Sequence, residues 1–112
     1  MKMVVAIIRD SRLEAVTQAL GEAGFGSMTV TEIRGRGEQR GVRQQYRGAE
    51  YVIDLLPRVR VEVAVHDGAV ERVVDLVCEA ARTGDPGDGK VFVHPLDDAV
   101  RVRTRERGDG VL

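Results

Sequence analysis

Three stretches of the sequence carry residue types that can do chemistry. The first is TGDPGDGK, Thr83 to Lys90. Its glycines expose backbone N–H groups and Lys90 adds a point charge, which together can cradle a phosphate. Gly84 to Lys90 fits G-x-x-x-x-G-K, but the next residue is Val91, where a phosphate-loop hydrolase needs Ser or Thr for magnesium. Val91 to His94 also reads as strand, not as the helix start that would face the phosphate. A P-loop hydrolase is therefore excluded, leaving a phosphate cradle without hydrolytic machinery or a plain helix-to-strand turn.

The second feature is the pair Arg101 and Arg103. Residues two apart share a face of a strand, so with Val100 and Val102 turned inward both guanidinium groups would point outward together. Two such groups suit a polyphosphate; a solvated strand face is the bland alternative. The third is the polar stretch from Gly37 to Glu50, within GRGEQRGVRQQYRGAE. The whole gap GRGEQRGVRQQYRGAE, Gly35 to Glu50, has 16 residues, more than the ~12–15 usual for a structureless connection in a compact domain. With few apolar residues it cannot pack a core of its own. It reads either as a flexible hairpin or as a docking loop that orders on a partner, with Arg43, Arg47, Tyr46 and Tyr51 as its contact residues.

These features need a scaffold. Met3 to Ile8 is a short β-branched run and reads as a buried strand. Asp10 or Ser11 can cap a helix whose apolar face is Leu13, Val16, Thr17, Leu20 and Ala23, stopped by Gly24 and Gly26. Met28 to Arg34 is a second strand. Tyr51 to Val65 is extended chain interrupted at Pro57, and its later half alternates: Val59, Val61, Val63 and Val65 against Arg58, Arg60, Glu62 and Ala64. Asp67 can cap a second helix with Val70, Val73, Val74, Val77 and Ala81 buried. Val91 to His94 and Val100 to Arg103 read as short strands, and Thr104 to Leu112 as a fraying tail. The order β-α-β-β-α-β predicts an α+β, ferredoxin-like fold, two helices on one face of an antiparallel sheet. The opposite sheet face also carries apolar residues, which predicts a cyclic homo-oligomer.

Composition bounds the rest. The 112 residues suit one domain, 1–112, with a long loop at 37–54, a turn at 82–90 and a tail at 104–112. The hydrophobic fraction of 43% supports a core, and an aromatic fraction of 4% makes that core aliphatic. A net charge of −1 argues against nucleic-acid binding by bulk electrostatics. One cysteine, Cys78, allows no intramolecular disulfide and reads as a small core residue. The two histidines, His66 and His94, lack partners at metal-ligand spacing. The apolar start is too short for a signal peptide or a membrane span, so the expected location is the cytoplasm.

The chain resembles the P-II nitrogen-regulatory signal-transduction family over its whole length. The most specific matches are YRGAEY, Tyr46 to Tyr51, and TGDPGDGKVFV, Thr83 to Val93; MTVTEIRGRG, Met28 to Gly37, Gln39 and VRVRT, Val100 to Thr104, support them. The resemblance implies a homotrimer of ferredoxin-like subunits that binds ATP or ADP between neighbours. The matching nucleotide positions are Thr29, Gly35, Gly37, Glu38, Gln39, Glu62, Ala64, Gly87, Asp88, Gly89, Lys90, Arg101 and Arg103. It further implies 2-oxoglutarate beside the ATP phosphates through Mg²⁺ held by Gln39, with Arg40, Gly41, Arg58 and Gly87 around the acid. Partner binding would fall to Tyr46, Arg47 and Tyr51, and Tyr51 matches a tyrosine that some relatives modify.

Four departures stand out against that pattern: Arg9, Asp10 and Ser11 stand where the family often has Lys-Pro-Phe or Arg-Pro after the first strand, and three further positions differ. Arg58 replaces the usual lysine, Glu38 an arginine, and Arg36 a frequent aromatic. The implied activity is regulation, not catalysis. The loop would dock on an ammonium transporter at the inner face of the membrane, or the chain would act as a nucleotide-only sensor for an enzyme of nitrogen metabolism. A ferredoxin-like acyl phosphatase would need a water-orienting asparagine, and the sequence has none. An RNA-binding module of this topology would need aromatics on its sheet strands, and Val59 to Val65 and Val100 to Arg103 have none.

Overall fold

Alternation along the valine-rich strand decides which sheet face is dry. In the computed structural model, which describes residues 1–36, 42–46, 48–53 and 55–112, Val59, Val61, Val63 and Val65 are all buried, at 1–3% exposure. The main strands are β1 (Lys2–Arg9), β2 (Thr29–Gly35), β5 (Leu56–Val65) and β6 (Gly89–Pro95), with β3 (Val42–Tyr46) and β4 (Ala49–Ile53) between β2 and β5. The sheet order is β2-β5-β1-β6, and every ladder is antiparallel. That is the ferredoxin-like order the sequence predicts. Pro57 lies just past the end of the β1 ladder, whose last pair is Arg9 with Arg58. Its missing N–H therefore interrupts no pairing with β1.

Helices α1 (Leu13–Glu22) and α2 (Val70–Ala81) cover the dry face. Val16 and Leu20 of α1 and Val73 and Val77 of α2 pack with Val4, Ala6 and Ile8 of β1. Arg12 joins the two helices, donating from Nε and Nη2 to the Ala80 carbonyl at 3.0 and 2.6 Å. α1 ends as its glycine predicts: Gly24 takes φ +92°, its N–H reaches the Gly21 carbonyl and that of Phe25 the Leu20 carbonyl, a Schellman closure.

Several expectations fail for physical reasons. Neither Asp10, Ser11 nor Asp67 caps a helix through its side chain. Each helix is entered through a 3₁₀ turn, Asp10–Arg12 and Asp67–Ala69, and Asp67 pairs instead with the N-terminal amine at 3.0 Å. Cys78 is exposed: one step past Val77 on a helix is a turn of about 100°, enough to leave the buried stripe. Val100 to Arg103 forms no strand. Val100 makes an isolated bridge to Arg107, Arg101 N–H donates to the Glu106 carbonyl, and Val102 is 96% exposed. The tail folds back on itself. Arg105 at φ 64° and Gly108 at φ 84° turn it, and an Arg107–Asp98 ion pair holds it.

The long polar stretch contains a hairpin. β3 and β4 pair only with each other, from Val42 opposite Ile53 to Tyr46 opposite Ala49, with Gly48 at φ +79° in the turn. The radius of gyration, 16.9 Å, exceeds the ~13 Å of a compact chain of this length, so the molecule is extended along one axis, 60 Å against 27 and 21 Å.

Candidate functional site

Strand register brings distant residues to one end of the sheet. β1 lies between β5 and β6, so Ile7 faces Arg60 on one side and Lys90 on the other. The chain reaches β6 through the turn 83–88, and β2 ends at Gly35 opposite Leu56. Between them is a cleft of about 410 Å³, within the range of small-molecule sites. Gly87, Asp88, Gly89 and Lys90 line one wall, Gly35, Arg36 and Arg58 another, and Ile7 and Phe92 the floor.

The turn has a definite construction. Gly84, Gly87 and Gly89 take positive φ of 97°, 99° and 112°. At Gly89 a Cβ would lie 1.9 Å from the Ile7 carbonyl oxygen, so the backbone contact itself demands glycine. The Asp88 carboxylate closes the turn. It accepts the Thr83 and Gly84 N–H groups at 2.8 and 3.0 Å, the Thr83 hydroxyl, and Arg9 Nε at 3.2 Å. Those donors, the Thr83 hydroxyl and amide first, hold the Asp88 carboxyl well below the usual carboxylate range.

Of the sequence-predicted residues, the cleft unites Gly35, Arg58, Gly87, Asp88, Gly89 and Lys90. Thr29, Glu62 and Ala64 lie outside it: Thr29 pairs with Glu62 on the open sheet face, and Ala64 pairs with Met3. At about 3.3 Å per residue, Glu62 and Ala64 are about 13 and 20 Å along β5 from Arg58. Arg101 and Arg103 sit in the folded-back tail, not on a shared strand face, and Arg101 Nη1 pairs with Glu106 at 3.0 Å. Gly37, Glu38, Gln39, Arg40, Gly41 and Arg47 fall outside the described residues. Tyr46 is in β3, and Tyr51 is in β4 opposite Gln44. Among the described residues no cluster of His, Cys, Asp and Glu could hold a metal, and no helix is long and apolar enough to cross a membrane.

Sequence reasoning missed Arg9, Ile7 and Phe92 as site residues, and read Thr83 only as the start of the turn. Arg9 meets Asp88 across 79 positions, a contact that appears only when β1 and β6 are set in register.

The fold and cleft define a small α+β protein with a glycine-lined cleft at one end of its sheet and a separate two-stranded hairpin. Comparison with known proteins gives the family. The profile described as nitrogen regulatory protein P-II matches residues 1–106. The chain is 52% identical over 108 residues to nitrogen regulatory protein P-II 2 of Methanothermobacter thermautotrophicus, covering 96% of this chain and 94% of the relative. It is 48% and 49% identical over 112 residues, the full length of both chains in each case, to nitrogen regulatory protein P-II of Rhodospirillum rubrum and of Azospirillum brasilense. The chain belongs to the P-II family of nitrogen regulatory proteins, which are signal transducers and not enzymes.

Proposed function

We propose that the protein is a homotrimeric sensor of ATP, ADP and 2-oxoglutarate that controls an ammonium transporter through its hairpin loop. The cleft carries this reading, because residues far apart in sequence converge there on a surface suited to anions. Gly87, Asp88 and Gly89 offer backbone to phosphate, and Lys90 adds charge. Arg58 supports recognition of a dicarboxylic acid from the opposite wall; its forked guanidinium holds a carboxylate with a different geometry from the lysine of relatives.

The division of the remaining positions supports a shared site. Thr29, Glu62 and Ala64 stand outside the cleft, about 13–20 Å from Arg58 within one chain. A neighbouring copy, docked on the open sheet face, supplies them to a ligand in the first copy's cleft. That face is partly apolar: Met3, Val5 and Ile7 of β1 share it with Phe92, which is 52% exposed. Arg101 and Arg103 join the phosphate end from the tail, with Arg101 exchanging Glu106 for phosphate.

In this mechanism Lys90 and the turn fix the phosphate end while Gly37 to Gly41 senses what lies beside it. By the family resemblance Gln39 would hold a Mg²⁺ ion, which would supply charge for binding the acid beside the phosphates. Arg40 and Gly41 would contact the acid beside it. Without the acid the loop base is released and Tyr46, Arg47 and Tyr51 meet the partner. Partner and 2-oxoglutarate then oppose each other by equal coupling free energy, about 1–3 kcal/mol. Calorimetric titration tests the reading. ATP and ADP bind, and 2-oxoglutarate binds with Mg-ATP but not with ADP. Absence of nucleotide binding would falsify it.

A further inference from the structure

The 83–89 turn is glycine-rich, and such a segment loses much conformational entropy when it is ordered. Left untied, it would adopt its ligand-competent shape only part of the time, and a ligand would bear the cost of ordering it. Yet the turn is held at both ends. Arg9, the last residue of β1, donates Nε–H to Asp88 at 3.2 Å and Nη2–H to the Pro86 carbonyl at 2.7 Å. Asp88 gathers the Thr83 and Gly84 amides and the Thr83 hydroxyl, and Thr83 Oγ1 in turn accepts the Asp85 N–H at 3.2 Å. One carboxylate thus joins the start of the turn, its end and the neighbouring strand. The Arg9 and Asp88 side chains are only 20% and 24% exposed, and each neutralises the other.

We propose that Arg9 and Thr83, acting through the Asp88 carboxylate, form a positioning clamp that presets the turn and so sets nucleotide affinity without touching the ligand. This rests on the nucleotide-binding reading of the cleft. Arg9 is engaged by two acceptors inside the protein, so its charge is directed at the turn and not at the cleft.

The test is a titration of the full chain with Mg-ATP for the wild type, Arg9→Met, Thr83→Val, the double variant and Arg9→Lys, each with its melting temperature and oligomeric state. Each single variant is expected to weaken ATP binding about 5- to 20-fold while the assembly persists. The double variant is expected to lose little more than the worse single one, because both act on one carboxylate. Arg9→Lys is expected to recover part of the loss, since an ammonium group replaces only some of the guanidinium contacts. Thr83→Val alters no charge and keeps the test open if Arg9→Met fails to fold. Losses that multiply in the double variant, with a flatter salt dependence in Arg9→Met, would mean that Arg9 meets the ligand and would overturn the clamp. So would unchanged affinity in both single variants. Failure of the wild type to bind ATP would remove the nucleotide reading itself.

Discussion

At the scale of single residues, two positions of the turn act through different physics. Gly89 is fixed by sterics. A methyl group there would meet the Ile7 carbonyl oxygen at 1.9 Å, and φ +112° is a conformation that alanine resists. Gly89→Ala is expected to destabilise the fold by about 2–4 kcal/mol, read as a lower denaturant midpoint, because the start of β6 must separate from β1. Asp88 is fixed by charge. Its carboxyl is held well below its ordinary value of 3.8, so its stabilising contribution is complete at neutral pH and is lost progressively as pH falls from 3.8 toward the lowered folded value. Melting temperatures between pH 7 and pH 2 should show wild type above Asp88→Asn at neutral pH, with the gap narrowing only below about pH 4. A constant gap would separate Asp88 from the acid limb. The sequence shows the glycines and the lysine of this turn, because their types and spacing are local. It does not show Arg9, whose role exists only through β1–β6 pairing.

At the scale of elements, periodicity is informative where one face is buried and silent where none is. The alternating valines of β5 and the helical stripes of α1 and α2 each face a dry interior, so their patterns identify them. Cys78 falls to the same rule applied one position too loosely, and Cys78→Ser should shift the unfolding free energy by no more than about 0.5 kcal/mol. Leu20→Ala, at 0% exposure, should cost about 2–5 kcal/mol in the same assay. The failed strand at 100–103 shows the opposite case. Val-Arg-Val-Arg has the strand period, but Glu106 offers Arg101 both a backbone and a side-chain partner, and the segment closes on itself. A hairpin is one of the two readings the sequence leaves open for the polar stretch, but strand β3 itself is not legible, because a polar run such as Arg43 to Gln45 has no apolar alternation to mark it. The strands of the β3–β4 hairpin pair with no other strand. Replacing 42–53 by a short Gly-Ser link should therefore leave the melting transition of the sandwich in place and, on the proposed function, keep ATP binding while abolishing capture by membranes that carry the transporter.

At the scale of the whole molecule, the proposed nucleotide site divides into two parts. The cleft, with Lys90, and the outlying strand positions, with Glu62, lie apart on one sheet. If each ligand sits between neighbours, a chain defective at Lys90 still carries an intact Glu62, and a chain defective at Glu62 still carries an intact cleft. In a ring built with cyclic symmetry, every junction joins the cleft of one copy to the Glu62 side of the next. Lys90→Ala and Glu62→Ala homotrimers should each lose most ATP binding when measured alone. After unfolding and refolding as an equal mixture, random assembly places an intact cleft beside an intact Glu62 at about one junction in four. Titration of that mixture should recover about a quarter of the wild-type sites at close to wild-type affinity. No recovery in mixed trimers, their mixing verified by mass, would mean that each chain binds its nucleotide alone. Thr29, Glu62 and Ala64 of a neighbour would then have no part in the site.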